Sequence, residues 1–161
     1  MGWRTWFGLA EPLKAANISD GQLLAAAQAI DPKLTVHFMS YLESRNALSP
    51  TLEAAAAFLK EKNTTELIKI ELMKNVTSIA IILEGMHYRL RMMIGLARRA
   101  GAEKTVEALK KTHGIIESSA VECREKLRES KRNVSPLVRQ FREIVADTLV
   151  REREAVVSAF M

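Results

Sequence analysis

One cysteine, four prolines, seven glycines and 6% aromatic residues leave this 161-residue chain poor in the material of disulfide frameworks and loop-rich β folds. A single thiol, Cys123, excludes an intramolecular disulfide and points to a reducing, cytoplasmic setting. No run of eighteen apolar residues is free of charge, so a membrane-spanning helix is not expected. The most apolar stretch, Ile79 to Met86, is interrupted by Glu84 and followed by Arg89 and Arg91. The N-terminal segment MGWRTWFGLAEP has no long apolar core and does not read as a secretory signal. Gly-rich phosphate loops, zinc-type Cys/His spacings and nucleophile motifs are missing as well, which argues for a non-catalytic protein.

What is present is the vocabulary of helices. Hydrophobic residues make up 48% of the chain, and Ala, Leu, Met, Glu, Lys and Arg dominate. Leu72, Val76, Ile79, Leu83, Met86, Leu90, Met93 and Ala97 recur at alternating spacings of four and three, the seam of a helix that packs lengthwise as in a coiled coil. A second seam reads Val106, Leu109, His113, Ile116, Ala120, Cys123 and Leu127. A third reads Leu137, Phe141, Ile144, Val145, Leu149, Val156 and Phe160. Helix starts are marked by the capping-box pattern Ser19–Gln22, by Asn63, and by Asp31-Pro32, Ser49-Pro50 and Ser135-Pro136. Gly101 is suited to a left-handed C-cap. The expected fold is all-α, a bundle of three long helices over about 64–99, 102–132 and 136–160. Shorter helices over 20–30, 32–46 and 50–62 precede it. Residues 1–63 form an N-terminal short-helix region and residues 64–161 the bundle, the two continuous as one domain.

The net charge of +5 lies entirely in residues 64–161, since residues 1–63 hold six basic and six acidic side chains. The basic cluster Arg124, Lys126, Arg128, Lys131, Arg132, Arg139 and Arg142 is interleaved with Glu122, Glu125, Glu129 and Glu143. That interleaving reads as a solvated, salt-bridged face and argues against nucleic acid. Trp3, Trp6 and Phe7 concentrate aromatics at the N-terminus, a candidate interaction segment for a protein groove or, more weakly, a membrane surface.

Four polar residues form the sharpest constellation. If the helices over 64–99 and 102–132 turn back on one another at 100–101, Glu84 and His87 meet His113 and Glu117 at one level. Two carboxylates and two imidazoles there suit Zn, Fe or Mn. His37 and Glu43 are further candidate donors. Glu84-Gly-Met-His87 resembles the Glu-x-x-His element of ferritin-like carboxylate proteins, over four residues, and that resemblance implies a metal-binding bundle. The family supplies two such elements, whereas His113-Gly-Ile-Ile-Glu117 has the reverse order and a longer spacing. Without a metal, the same residues pair across helices and set register.

Gly85 and Gly95, inside a helix, ask for close packing by a neighbouring helix to offset their helical cost. The sequence as a whole is read as a cofactor-free scaffold, adaptor or assembly subunit, cytoplasmic or peripheral to a membrane. It is expected to act through a protein partner or as a homo-oligomer, because such long seams expose apolar edges unless something covers them.

Overall fold

The computed structural model describes residues 17–60, 65–130 and 134–161. Every regular element among them is a helix: α1 Asp20–Ile30, α2 Pro32–Leu59, α3 Glu66–Arg99, α4 Glu103–Glu129 and α5 Val134–Phe160. Among the described residues the expected helices over 32–46 and 50–62 are one, so four long helices follow one short one where three long helices after several short ones were expected.

The starts and stops follow local chemistry. Ser19 Oγ accepts from the Gln22 amide at 3.2 Å and Gln22 Oε1 accepts from the Ser19 amide at 2.8 Å, closing the capping box on α1. Asp31 caps α2 by accepting from the Lys33 amide at 2.9 Å. Thr65, not Asn63, caps α3, accepting from the Ile68 amide at 3.3 Å. Gly101 takes φ 74°, and the amides of Ala102 and Gly101 donate to the carbonyls of Ala97 and Arg98. These two bonds form a Schellman turn, which reverses the chain into α4.

The segments 32–46 and 50–62 are one helix. Ser49-Pro50 does not start a helix; Pro50 lies inside α2, where the Asn46 carbonyl has no amide to accept from. Burial outweighs that loss. Leu48 and Leu52 are buried on either side of the proline, and each such side chain is worth about 1.5–3 kcal/mol, comparable with the proline's cost.

Consecutive long helices pack as antiparallel neighbours, and α2 meets α5 to close the ring, with α1 against α2 and α5. Each long helix buries one seam with a seven-residue rhythm. All eight expected seam residues of α3 are buried. On α4 the seam runs through Thr112, not His113, and on α5 it passes through Thr148 and Glu152. Phe38 of α2 stacks on Phe160 of α5 at 4.8 Å between ring centroids. The Thr148 and Ser119 hydroxyls meet at 2.6 Å between α4 and α5, one donating to the other, whose own proton goes to a carbonyl of its own helix. None of the described helices is long and apolar enough to cross a membrane.

Candidate functional site

The Schellman turn at Gly101 sets α3 and α4 side by side and so brings together distant parts of the sequence. His87 Nε2 donates to Glu117 Oε2 at 2.8 Å. The rings of His87 and His113 lie 3.9 Å apart at 31°. One donor atom from each of His87, His113 and Glu117 falls within 4.8 Å of the other two. His113 Nε2 is buried without a hydrogen-bond partner, alone in this among the side-chain polar atoms of the described residues. Leaving such a group unsatisfied costs about 1–3 kcal/mol. Burial and the neighbouring His87 both push the pKa of His113 down, against a smaller opposing pull from Glu117. The hydrogen bond from His87 holds Glu117 below the usual glutamate range, although Glu117 is exposed.

Glu84 does not join the other three. Its Oε1 pairs with Arg124 at 3.1 Å, two turns farther along α4 than Glu117. Side chains lean toward the N-terminus of their own helix, so antiparallel partners meet a few positions beyond the backbone register. His37 and Glu43 are elsewhere too: Arg89 donates to His37 Nδ1 at 3.1 Å, and Glu43 is exposed. Trp3, Trp6 and Phe7 lie outside the described residues. In the basic cluster, Arg124 pairs with Glu84, and Arg142 with Glu53 at 3.7 Å.

A second feature was not anticipated from the sequence. The outer face of α3 carries Leu67 (68% exposed), Ile70 (59%), Ile81 (63%), Tyr88 (55%) and Met92 (39%). Lys74, Thr77 and Gly85 fill the intervening three- and four-residue steps, so the strip is a second seam on the far side of the helix. A shallow groove of about 350 Å³, lined by Ile70, Met73, Lys74, Thr77, Ser78 and Ile81, lies along its first half. Gly85 and Gly95 are not packed against a neighbouring helix as expected, because nothing lies within 4 Å of where a Cβ would stand on either. Among the described residues, α2 and α4 occupy other faces of α3 and leave this one open.

A third group is buried and polar. Glu152 of α5 is fully enclosed, accepts from the Tyr41 hydroxyl, and takes Arg45 Nε at 2.8 Å. Beside it Arg153 pairs with Asp20 at 2.8 Å, and Asp20 also accepts from Asn46 Nδ2 at 3.2 Å. Burial first, then the charge of Glu152, drives the Tyr41 hydroxyl pKa well above its ordinary value. Burial works against the Arg45 guanidinium, yet the pairing with Glu152 prevails and raises its pKa. These residues lock α1, α2 and α5 together around the enclosed Glu152. Cys123 is buried, its thiol pushed up to about 12 by burial, which disfavours the reactive thiolate.

Compared with known proteins, the chain matches no family, no curated protein and no solved structure.

Proposed function

We propose that this chain is a non-catalytic helical scaffold or assembly subunit that works by protein–protein contact through the outer face of α3, and that its first partner is a second copy of itself. The observation that carries the reading is the strip from Leu67 to Met92, five large apolar side chains held in register on one exposed helix face. The strip spans about 38 Å at 1.5 Å per residue.

The choice of a second copy rests on self-complementarity. A two-fold axis near residue 79, with the two α3 helices antiparallel, sets Leu67 against Met92, Ile70 against Tyr88, and Thr77 against Ile81 of the other copy. Lys74 then comes within reach of Glu84 of the other copy, each exchanging or sharing its exposed partner on its own chain, Glu71 at 4.0 Å and Arg124 at 3.1 Å. An isologous contact of this kind uses each pair twice and closes at two subunits. The open backbone at Gly85 leaves room for the Lys74 side chain of the other copy to lie across it.

Sedimentation equilibrium at micromolar concentration tests the reading. The native chain should run as a dimer and Ile81→Glu as a monomer of unchanged helical content. Lys74→Glu and Glu84→Lys should each weaken the dimer, and the double reversal should restore it. A native chain that stays monomeric at tens of micromolar rules out self-association through α3. A dimer insensitive to Ile81→Glu places the contact elsewhere.

A further inference from the structure

Of the three histidines in the chain, two stack on each other, and the third binds Arg89 on another helix pair. Two imidazoles packed at 3.9 Å cannot both be charged without repulsion, and neither donates to the other. The Nε2 of His113 is buried and has no hydrogen-bond partner among the described residues. A ring nitrogen of His113, one of His87 and a carboxylate oxygen of Glu117 lie within 4.8 Å of one another, a donor set suited to a cation that accepts nitrogen ligands.

We propose that one ring nitrogen from each of His87 and His113 and a Glu117 carboxylate oxygen form a binding site for a divalent cation of the zinc type. In tetrahedral zinc sites with bonds of 2.0–2.2 Å, donor atoms stand roughly 3.3–3.5 Å apart. The pair at 2.8 Å is closer than that and the widest separation in the triad is within 4.8 Å. Binding therefore opens the His87–Glu117 pair by roughly half an ångström and draws His113 inward, a shift that rotation about side-chain torsions supplies. The cation replaces the proton on His87 Nε2, which passes to Nδ1 of the ring or to solvent. Three protein ligands leave the remaining coordination position to water, on the side where Glu117 is exposed.

The donor set fixes the ion class. Two imidazoles favour zinc and its late first-row neighbours over magnesium and calcium, which take oxygen ligands. Glu84 is not a ligand, because Arg124 holds it. The exposed Arg91 acts on both His113 and Glu117 as a nearby positive charge, so it opposes a cation here. Affinity is accordingly below that of a closed structural zinc site, and the removal of Arg91 gives an unusual test, a substitution that improves binding.

The experiment is a titration of the full chain with Zn²⁺ against a chromophoric chelator at neutral pH, with circular dichroism on every variant. The native chain should take up one equivalent. His87→Gln, His113→Gln and Glu117→Gln should each weaken it by at least about tenfold, as even loss of an outer-shell partner does in known sites. His37→Gln should leave it unchanged. Arg91→Ala should tighten it several-fold, more at low salt. Millimolar Mg²⁺ should not displace the zinc. Cobalt(II) gives a second readout that does not depend on the variants, a visible band of the intensity expected for a low coordination number. The proposal fails if no stoichiometric zinc binds, if His113→Gln binds like the native chain, or if Mg²⁺ competes. Any of these outcomes identifies the cluster as an ion pair with a stacked histidine.

Discussion

Glu152 is a carboxylate placed where a coiled-coil rhythm asks for an apolar side chain. It survives there because each oxygen has its own donor, the Tyr41 hydroxyl on one and Arg45 Nε on the other. A buried ion pair is no better than good apolar packing, but half of one is much worse. Glu152→Ala should therefore cost about 3 kcal/mol, at the low end of the range for broken buried pairs because Arg45 retains some access to water. Urea unfolding measures it. Replacing the whole group, Glu152→Leu with Arg45→Met and Tyr41→Phe, should recover much of that loss. A cost under about 1 kcal/mol for the alanine would show that water reaches the site and replaces the carboxylate. The same logic applies to His113 in reverse, since its buried nitrogen has no donor or acceptor at all.

At the scale of the element, α2 shows what a sequence reading captures and what it misses. Ser49-Pro50 has the local signature of a helix start, and that signature says nothing about whether the preceding helix has ended. The longer pattern was there to be read. Leu34, Phe38, Tyr41, Arg45, Leu48, Leu52, Ala55 and Leu59 keep alternating steps of four and three straight through the proline. An interrupted helix would lose phase, and this one does not. The proline is then a local cost inside a continuous seam. Pro50→Ala should raise stability by about 1–3 kcal/mol, read as a higher midpoint in thermal or urea unfolding. A fall in stability would mean that α2 follows a path its neighbours require and only proline permits. The capping box at Ser19, the Asp31 cap and the left-handed Gly101 were legible because each depends on residues adjacent in sequence.

For the molecule as a whole, legibility stops where contacts depend on more than one helix. The buried seam of α3 was complete in the sequence, because a seven-residue rhythm needs no knowledge of the partner. The site was legible only in part. A hairpin about residues 100–101 puts His87, His113 and Glu117 near one level, and the structure has them within 4.8 Å. The backbone register misplaces Glu84, whose long side chain reaches Arg124 instead of Glu117. The open strip on α3 was hidden for a different reason. It is a second periodic pattern on a helix whose first pattern is stronger, and which residues remain uncovered depends on where α2 and α4 lie. Arg45, Thr148 and Glu152 stand at seam positions, and a polar residue in an apolar rhythm was the available sign of the buried network.

The contact between Tyr41 and Glu152 spans 111 residues, whereas the α2–α3, α3–α4 and α4–α5 pairs are each neighbours along the chain. Three hairpins close early at small entropic cost, and the ring of helices closes last, across almost the whole chain. The network around Glu152 is then expected to form as a latch after the rate-limiting step. Weakening it with Glu152→Gln should speed unfolding several-fold while leaving the folding limb of the chevron nearly unchanged. Stopped-flow mixing across urea concentrations separates the two arms, and an equal slowing of folding would place the latch in the nucleus. On that outcome, the molecule's lifetime in the folded state is set by the α2–α5 closure and its speed of folding by the other helix pairs.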